Sequence, residues 1–403
     1  MKASFHKSSF VAIIYVMLFS SRTKDELLLI LDIQSSVARS ALVLVKVGAN
    51  PNILFTRDVV IPHQDSGDSS RLVSATIKAA TQAVDEATKY LSSMKQSGAE
   101  GISLPRKVSA VHYVLSSPWI LSEAKRLDVT FDKQKIITQD LVSKMVRDER
   151  ENMATEVRAK DKTTEVEEKI FGIELNGYHV SNWNGKTAEN LSVSFVTSIS
   201  GIRMVERFKE ICAHMVNSRK IHFHSSLLLQ HIGIGNIFPD KDTYAIVHVH
   251  GEITDIVEVE KRSCVFFGTY PIGTQTTLRS FSEASKMSLQ TAESALNLHS
   301  SGAIDQGSSG NDGQIKIAYD LWMEQLDRSL KSGHLNHDGP ISLIISASER
   351  QDDFTSLLTK RYPRMKVSTL SIDDVTSHVS YSRDAERSVM IGLYAIATNS
   401  LRP

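Results

Sequence analysis

From residue 27 onward, the alternation of apolar and polar positions reads as an α/β chain. Residues 27–33 form an apolar run that closes on a carboxylate, Asp32, with the pattern of a buried strand. Residues 40–47 read as its hairpin partner and 53–61 as a third strand. Residues 71–93 carry Leu72, Ile77, Ala80, Val84, Ala87 and Leu91 at helical spacing. A loop with Gly98, Gly101 and Pro105 precedes a strand at 108–115. Residues 137–169 predict a mostly helical, mixed-charge segment with i,i+4 pairs. Short strands follow at 169–175, 178–180 and 191–198, separated by the hairpin dipeptides Asn176-Gly177 and Asn184-Gly185.

The second half repeats the plan. Helices are expected at 202–216 and 225–234, then three strands at 244–250, 253–261 and 264–271 joined by tight turns. Helices at 275–285 and 288–298 precede a Ser/Gly-rich loop at 300–313. A helix at 315–330, a strand at 341–346, a helix at 352–362, a strand at 367–370 and a closing helix at 385–398 complete the order. Three strands and helices, a small insertion, then three strands and helices again imply two similar lobes facing each other across a cleft.

Composition narrows the function classes. A length of 403 residues implies two to three domains, and 41% hydrophobic with 23% charged residues is the balance of an ordinary globular chain. The 46 basic residues balance 46 acidic ones, which argues against a general nucleic-acid binder. Cys212 and Cys264 have no metal-ligand spacing and read as buried thiols of a reducing compartment. His222 and His224 alternate in a strand-like or loop-like stretch, and His248 and His250 on a strand, but no HExxH cluster occurs. The apolar run at 10–19, flanked by Lys2, Lys7, Arg22 and Lys24, is too short to span a bilayer, which takes about twenty residues. It reads as an extended start, a buried element or a short membrane-touching anchor.

In a two-lobed fold a phosphate chain would sit between the hairpin turns of the lobes. Each turn then wants small residues, and each strand a carboxylate that holds Mg²⁺ through water. The first lobe offers Asp32, Gln34, Ser35 and Ser36; the second offers His248, His250, Gly251, Glu252, Thr254 and Asp255. At these segments the chain resembles the actin-like FtsA/PilM family. The first is similar to that family's phosphate-1 hairpin, Asp-hydrophobic-Gly-Ser-Ser, and the second to its phosphate-2 motif. The stretch from Tyr270 through Gly273 to Thr277 resembles its Pro-x-Gly-Gly…Thr segment, and residues 379–397, with Gly392-Leu393, its closing helix. The resemblance covers about residues 26–400.

The resemblance implies a two-lobed actin-like (ribonuclease-H-like) α/β fold with an inserted small SHS2-type α+β module. Its boundaries would be an N-terminal extension at 1–25, lobe I at 26–133 completed by 379–403, the insertion at 134–201 and lobe II at 202–378. It implies a nucleotide site of Asp32, Gln34, Ser35, Ser36, His248, His250, Gly251, Thr254, Gly273, Ser346 and Ala347, with ATP and Mg²⁺ as cofactors and Asp32 at the metal. The departures are specific. Gln34 stands for a Gly, His248 for the second Asp, His250 for its Gly, and Ser346-Ala347-Ser348 for a Gly-Gly pair. Each lost Gly puts a Cβ where a phosphate needs backbone, and the lost carboxylate removes a metal-organising charge. Asp32 also reads as a turn cap, and the two histidines also as structural ones. Glu252 and Asp255 read as hairpin decoration and Trp119 as a loop anchor.

The expected function is a cytoplasmic scaffold resembling FtsA, at the inner face of the cell membrane, weak or inactive as an ATPase. Its partners would be a tubulin-like division protein or a pilus inner-membrane protein, with self-polymerisation as a third mode and no nucleic acid. The chain ends directly after the closing helix, without the amphipathic tail of FtsA relatives, which leans toward the alternative of a PilM-like pilus assembly protein. An active ATP-binding enzyme of the actin/sugar-kinase superfamily is the remaining alternative.

Overall fold

The computed structural model describes residues 25–62, 69–97, 105, 107–158, 163–216, 218, 220–300, 312–335, 341–347 and 350–401. The apolar run at 10–19, Ser348 and most of the Ser/Gly-rich loop lie outside these residues.

The first lobe is built on β1 (Glu26–Ile33), β2 (Val37–Val45) and β3 (Asn52–Val60), an antiparallel meander. Helix α1 (Ser69–Ser97) leads to β4 (Ala110–Leu115), which returns parallel to β1. Every residue of β1 after Glu26 is buried, because helices cover both faces of the sheet. Leu27, Leu29 and Leu31 face α1 and α3 (Ile202–Met215), while Leu28 and Ile30 face the middle of the molecule.

A four-stranded antiparallel sheet follows, made of β5 (Leu121–Ile136), β6 (Thr163–Leu175), β7 (Tyr178–His179) and β8 (Thr187–Gly201), in the order β5-β8-β6-β7. Helix α2 (Gln139–Arg158) packs on it, and Ile137, Val142 and Val146 meet Trp183, Leu191, Val193 and Phe195 in a separate core. Two expectations are corrected here. Residues 121–136, expected mostly within the first lobe, are a strand of the inserted sheet, paired with β8 along most of their length. The helix expected to run to residue 169 ends at Arg158, and the charged stretch with Glu165, Glu167, Glu168 and Lys169 is strand β6. Partners from the first-lobe sheet hold one of those charges there, since Glu167 accepts from Ser225 N at 2.9 Å and pairs with His224 at 3.0 Å. His222 and His224 lie on a strand, β9 (Ile221–Ser225), parallel to β4 in the first-lobe sheet, so α3 and β9 belong to lobe I and the boundary with lobe II expected at residue 202 falls after β9.

The second lobe repeats the first. Strands β10 (Tyr244–Val249), β11 (Thr254–Glu260) and β12 (Ser263–Tyr270) form a meander, and β13 (Ser342–Ala347) and β14 (Lys366–Thr369) add in parallel beyond β10. Helices α5 (Thr274–Ser285), α6 (Leu289–Ser300), α7 (Asp312–Ser332) and α8 (Gln351–Arg361) cover it around the fully buried Trp322 and Phe354. After a short α9 (Ile372–Thr376), β15 (Ser380–Tyr381) pairs with β3 and returns the chain to the first lobe. Two helices with no polar face, α4 (Ser226–Ile237) and α10 (Val389–Ser400), lie between the lobes and join residues of both sheets in one apolar core. Cys212 and Cys264 are both free and buried, and burial pushes the Cys212 thiol up to about 11. No helix among the described residues is long and apolar enough to cross a membrane.

Candidate functional site

The two meanders point their first turns at each other, and the expected site residues gather there. In the first turn Gln34 N donates to Val37 O at 3.0 Å. In the second, His250 N donates to Ile253 O at 3.0 Å, and the start of α5 closes over it with Thr274 N donating to His250 O at 2.9 Å and Gln275 N to Gly251 O at 2.7 Å. Gly273 has to be glycine, since a Cβ there would lie 2.0 Å from His250 O and 2.6 Å from Gly251 O.

The turns touch. Glu252 N donates to Ser35 Oγ at 3.0 Å across the cleft, and a Cβ added to Gly251 would fall 2.5 Å from Ser36 Cβ. Small residues on both sides are thus used to bring the hairpins together, in the place where a phosphate chain would need them apart. Trp119, the expected loop anchor, fills the flank of the turn, with its indole N–H donating to Gln34 O at 3.0 Å.

Beneath the turns the polar groups serve one another. Asp32 is fully buried; its Oδ2 accepts from Arg39 at 3.1 Å and from Gln34 Nε2 at 3.0 Å. Burial pushes the Asp32 carboxyl up to about 6, and the Arg39 guanidinium offsets only part of that rise. Arg39, the cross-strand neighbour of Asp32, also donates from Nε and Nη2 to the two carboxylate oxygens of Asp58, each at 2.6 Å. His248 and His250 are buried with ring centres 4.7 Å apart. His248 Nδ1 bonds Ser346 Oγ at 2.6 Å, and burial followed by the neighbouring His250 pushes its pKa well below the usual imidazole range. His250 Nε2 bonds Asp255 Oδ2 at 2.9 Å, which also accepts from Ser117 N at 3.1 Å. Burial works to raise Asp255, but His250 and the Ser117 amide outweigh it and hold that carboxyl below its ordinary value. Thr254 Oγ1 donates to Ile272 O at 2.7 Å and accepts from the Trp322 indole at 2.9 Å. Ala347 N points to Gln351 Oε1 at 3.4 Å.

Of the expected residues, Gln34, Ser35, Ser36, Gly251 and Gly273 meet at the turn contact, and Asp32, His248, His250 and Ser346 lie in the chamber behind it. Thr254 faces the second-lobe core, and Ala347 caps a strand end. Asp255, read as hairpin decoration, is buried and central, and Glu252 accepts from Arg279 Nη1 at 2.9 Å. Arg39, Asp58 and Tyr394 complete the chamber's surroundings. Arg39 is recoverable from the hairpin register with Asp32; nothing local marks Asp58 or Tyr394.

Three features bear on the Mg²⁺ and ATP that the resemblance implies: the turns touch through Ser35 and Glu252, His248 stands where the family carries an Asp and burial pushes it well below the usual imidazole range, and Asp32 is held by Arg39. Among the described residues no group of three or more His, Cys, Asp or Glu side chains is placed to share a metal ion.

No family model matches the chain, and no curated protein matches it. Solved structures do. A PilM–PilN type IV pilus biogenesis complex matches with 12% identity and a TM-score of 0.57, covering 93% of this chain and 98% of that one. The ethanolamine utilization protein EutJ from Carboxydothermus hydrogenoformans matches with 8% identity and a TM-score of 0.44, over 94% of this chain and 92% of that one. A Bacteroides thetaiotaomicron protein of unknown function with an actin-like ATPase fold matches with 10% identity and a TM-score of 0.37, over 93% and 96%. The chain has the two-lobed actin-like fold, with a small α+β module inserted after the first β-meander and its parallel strand.

Proposed function

We propose that this chain is a scaffold on an actin-like frame, acting through protein contacts at the inner face of the cell membrane without ATP turnover. The observation that carries the reading is the direct contact of the two hairpin turns, Ser35–Ser36 against Gly251–Glu252. An actin-fold enzyme binds its phosphates between those turns. Here closing them has replaced binding them, and the chamber's charges are neutralised internally. The partner is a protein, and the PilM–PilN complex supports a membrane-associated one of the pilus type. The division-type role implied by the resemblance to FtsA is the companion reading, since both use the same frame to link membrane machinery to protein partners.

Calorimetric titration of the full chain with Mg-ATP tests the proposal. The expected result is no saturable binding up to about 1 mM, weaker than about −4 kcal/mol, and no phosphate release. Micromolar affinity with turnover, both lost in Asp32→Ala, would overturn it. Capture of membrane-fraction proteins on the immobilised chain then separates the two partner classes.

A further inference from the structure

The inserted module is bolted to the cleft by the segment through which the chain enters it. Residues 116–120 leave β4, and Ser116 N donates to Ile33 O at 3.1 Å, fixing the segment to the end of β1. The next residue, Ser117, donates its N–H to Asp255 Oδ2 of the second lobe at 3.1 Å. Trp119 donates from its indole to Gln34 O at 3.0 Å, on the first-lobe turn. Its own carbonyl accepts from Ser200 Oγ at 2.6 Å, where the chain leaves the module. Ser117, Trp119, Ser200 and Asp255 are all buried. One short segment therefore holds both ends of the module, the first-lobe turn and the second-lobe carboxylate.

We infer that residues 116–120 form a coupling strap, so that a displacement of the inserted module moves the two hairpin turns, and parting the turns loosens the module. The bonds are directional and run to both lobes, so the module cannot rotate about its entry point without breaking the bond to Gln34 O or the bond to Asp255. The inference deepens the scaffold reading: a partner that engages the module would be felt at the turns. Coupling between two places is reciprocal, so the strap must be felt from either end.

Amide hydrogen exchange on the full chain tests it in both directions. Trp119→Phe keeps a ring in place and removes the indole donor. Exchange at residues 250–254, which Trp119 does not bond, should then quicken about fivefold, the effect of losing about one hydrogen bond. Ser35→Ala cuts the bond between the turns and should quicken exchange at 122–126 and 194–199 by a similar factor. Gly251→Ala forces the turns apart and should do the same more strongly, so the milder Ser35→Ala remains informative if that variant unfolds. Arg126→Ala, which removes a surface pair with Glu174 on the module, should leave 250–254 unchanged. Faster exchange confined to the loop around each substituted residue would overturn the strap. Micromolar Mg-ATP binding would instead overturn the scaffold reading and leave the strap standing.

Discussion

Asp32 shows how one side chain can keep its place and change its work. At the end of an inner strand it stands where a metal-organising carboxylate belongs, and that much is visible from the apolar run before it. Its partner Arg39 converts it to a neutralised structural group, and burial still leaves it costly to ionise. A carboxyl raised from 3.8 to about 6 in the fold carries a penalty of about 3 kcal/mol at neutral pH. That penalty is relieved as pH falls from about 7 through 6 toward 4, so this group alone makes the protein more stable on mild acidification. His231, pushed down to about 4 by burial, and His248 act oppositely, losing stability as pH drops below the ordinary imidazole value of 6.5. The difference between wild type and Asp32→Asn isolates the carboxyl. The substitution is expected to raise the melting temperature at pH 7.5 and to give no advantage at pH 4.5, measured by thermal unfolding across about that range. A lower melting temperature at the alkaline end would show that the Arg39 pair outweighs the buried charge.

Among elements, the hairpins are the most legible in the sequence and the edge of the inserted sheet the least. Apolar runs announce β1, β10 and β11 because these strands are buried on both faces. Strand β5 carries an alternating signal in Leu127, Val129 and Phe131, but charged residues between them and a polar end dilute it. In β6 the run of charges imitates a solvated helix, and what holds it as a strand is its pairing with β8 and the contacts of Glu167 with His224 and Ser225. Such partners are separated by tens of residues, so no window of sequence contains them. At the second turn the decisive constraint is steric. Gly273→Ala should cost at least about 3 kcal/mol, because backbone atoms, not movable side chains, occupy the Cβ position. Urea unfolding would read it, and a loss under about 1 kcal/mol would mean that α5 can slide away from the turn.

Across the whole molecule, the repeated order of elements makes the two lobes readable in the sequence, and leaves the closed cleft between them unreadable. Closure depends on what pairs of distant small residues do when they meet, as Ser36 and Gly251 do. The lobes also share a core, in which α4 and α10 cross so closely that a Cβ on Gly233 would lie 2.9 Å from Leu393 O. Gly233→Leu is expected to separate these helices and cost about 3 kcal/mol or more, with both lobes melting in a lowered transition. Two resolved calorimetric transitions would show instead that each lobe holds its own fold.

The depth of Cys212 and Cys264 has a practical side. Thiolates do the alkylating chemistry, Cys212 is shielded and raised to about 11, and burial raises Cys264 as well. The native chain is therefore nearly silent to maleimide dyes. A cysteine added on an exposed position of each lobe would take label alone, which makes the opening of the cleft directly measurable as a distance between two fluorophores on an otherwise unaltered protein.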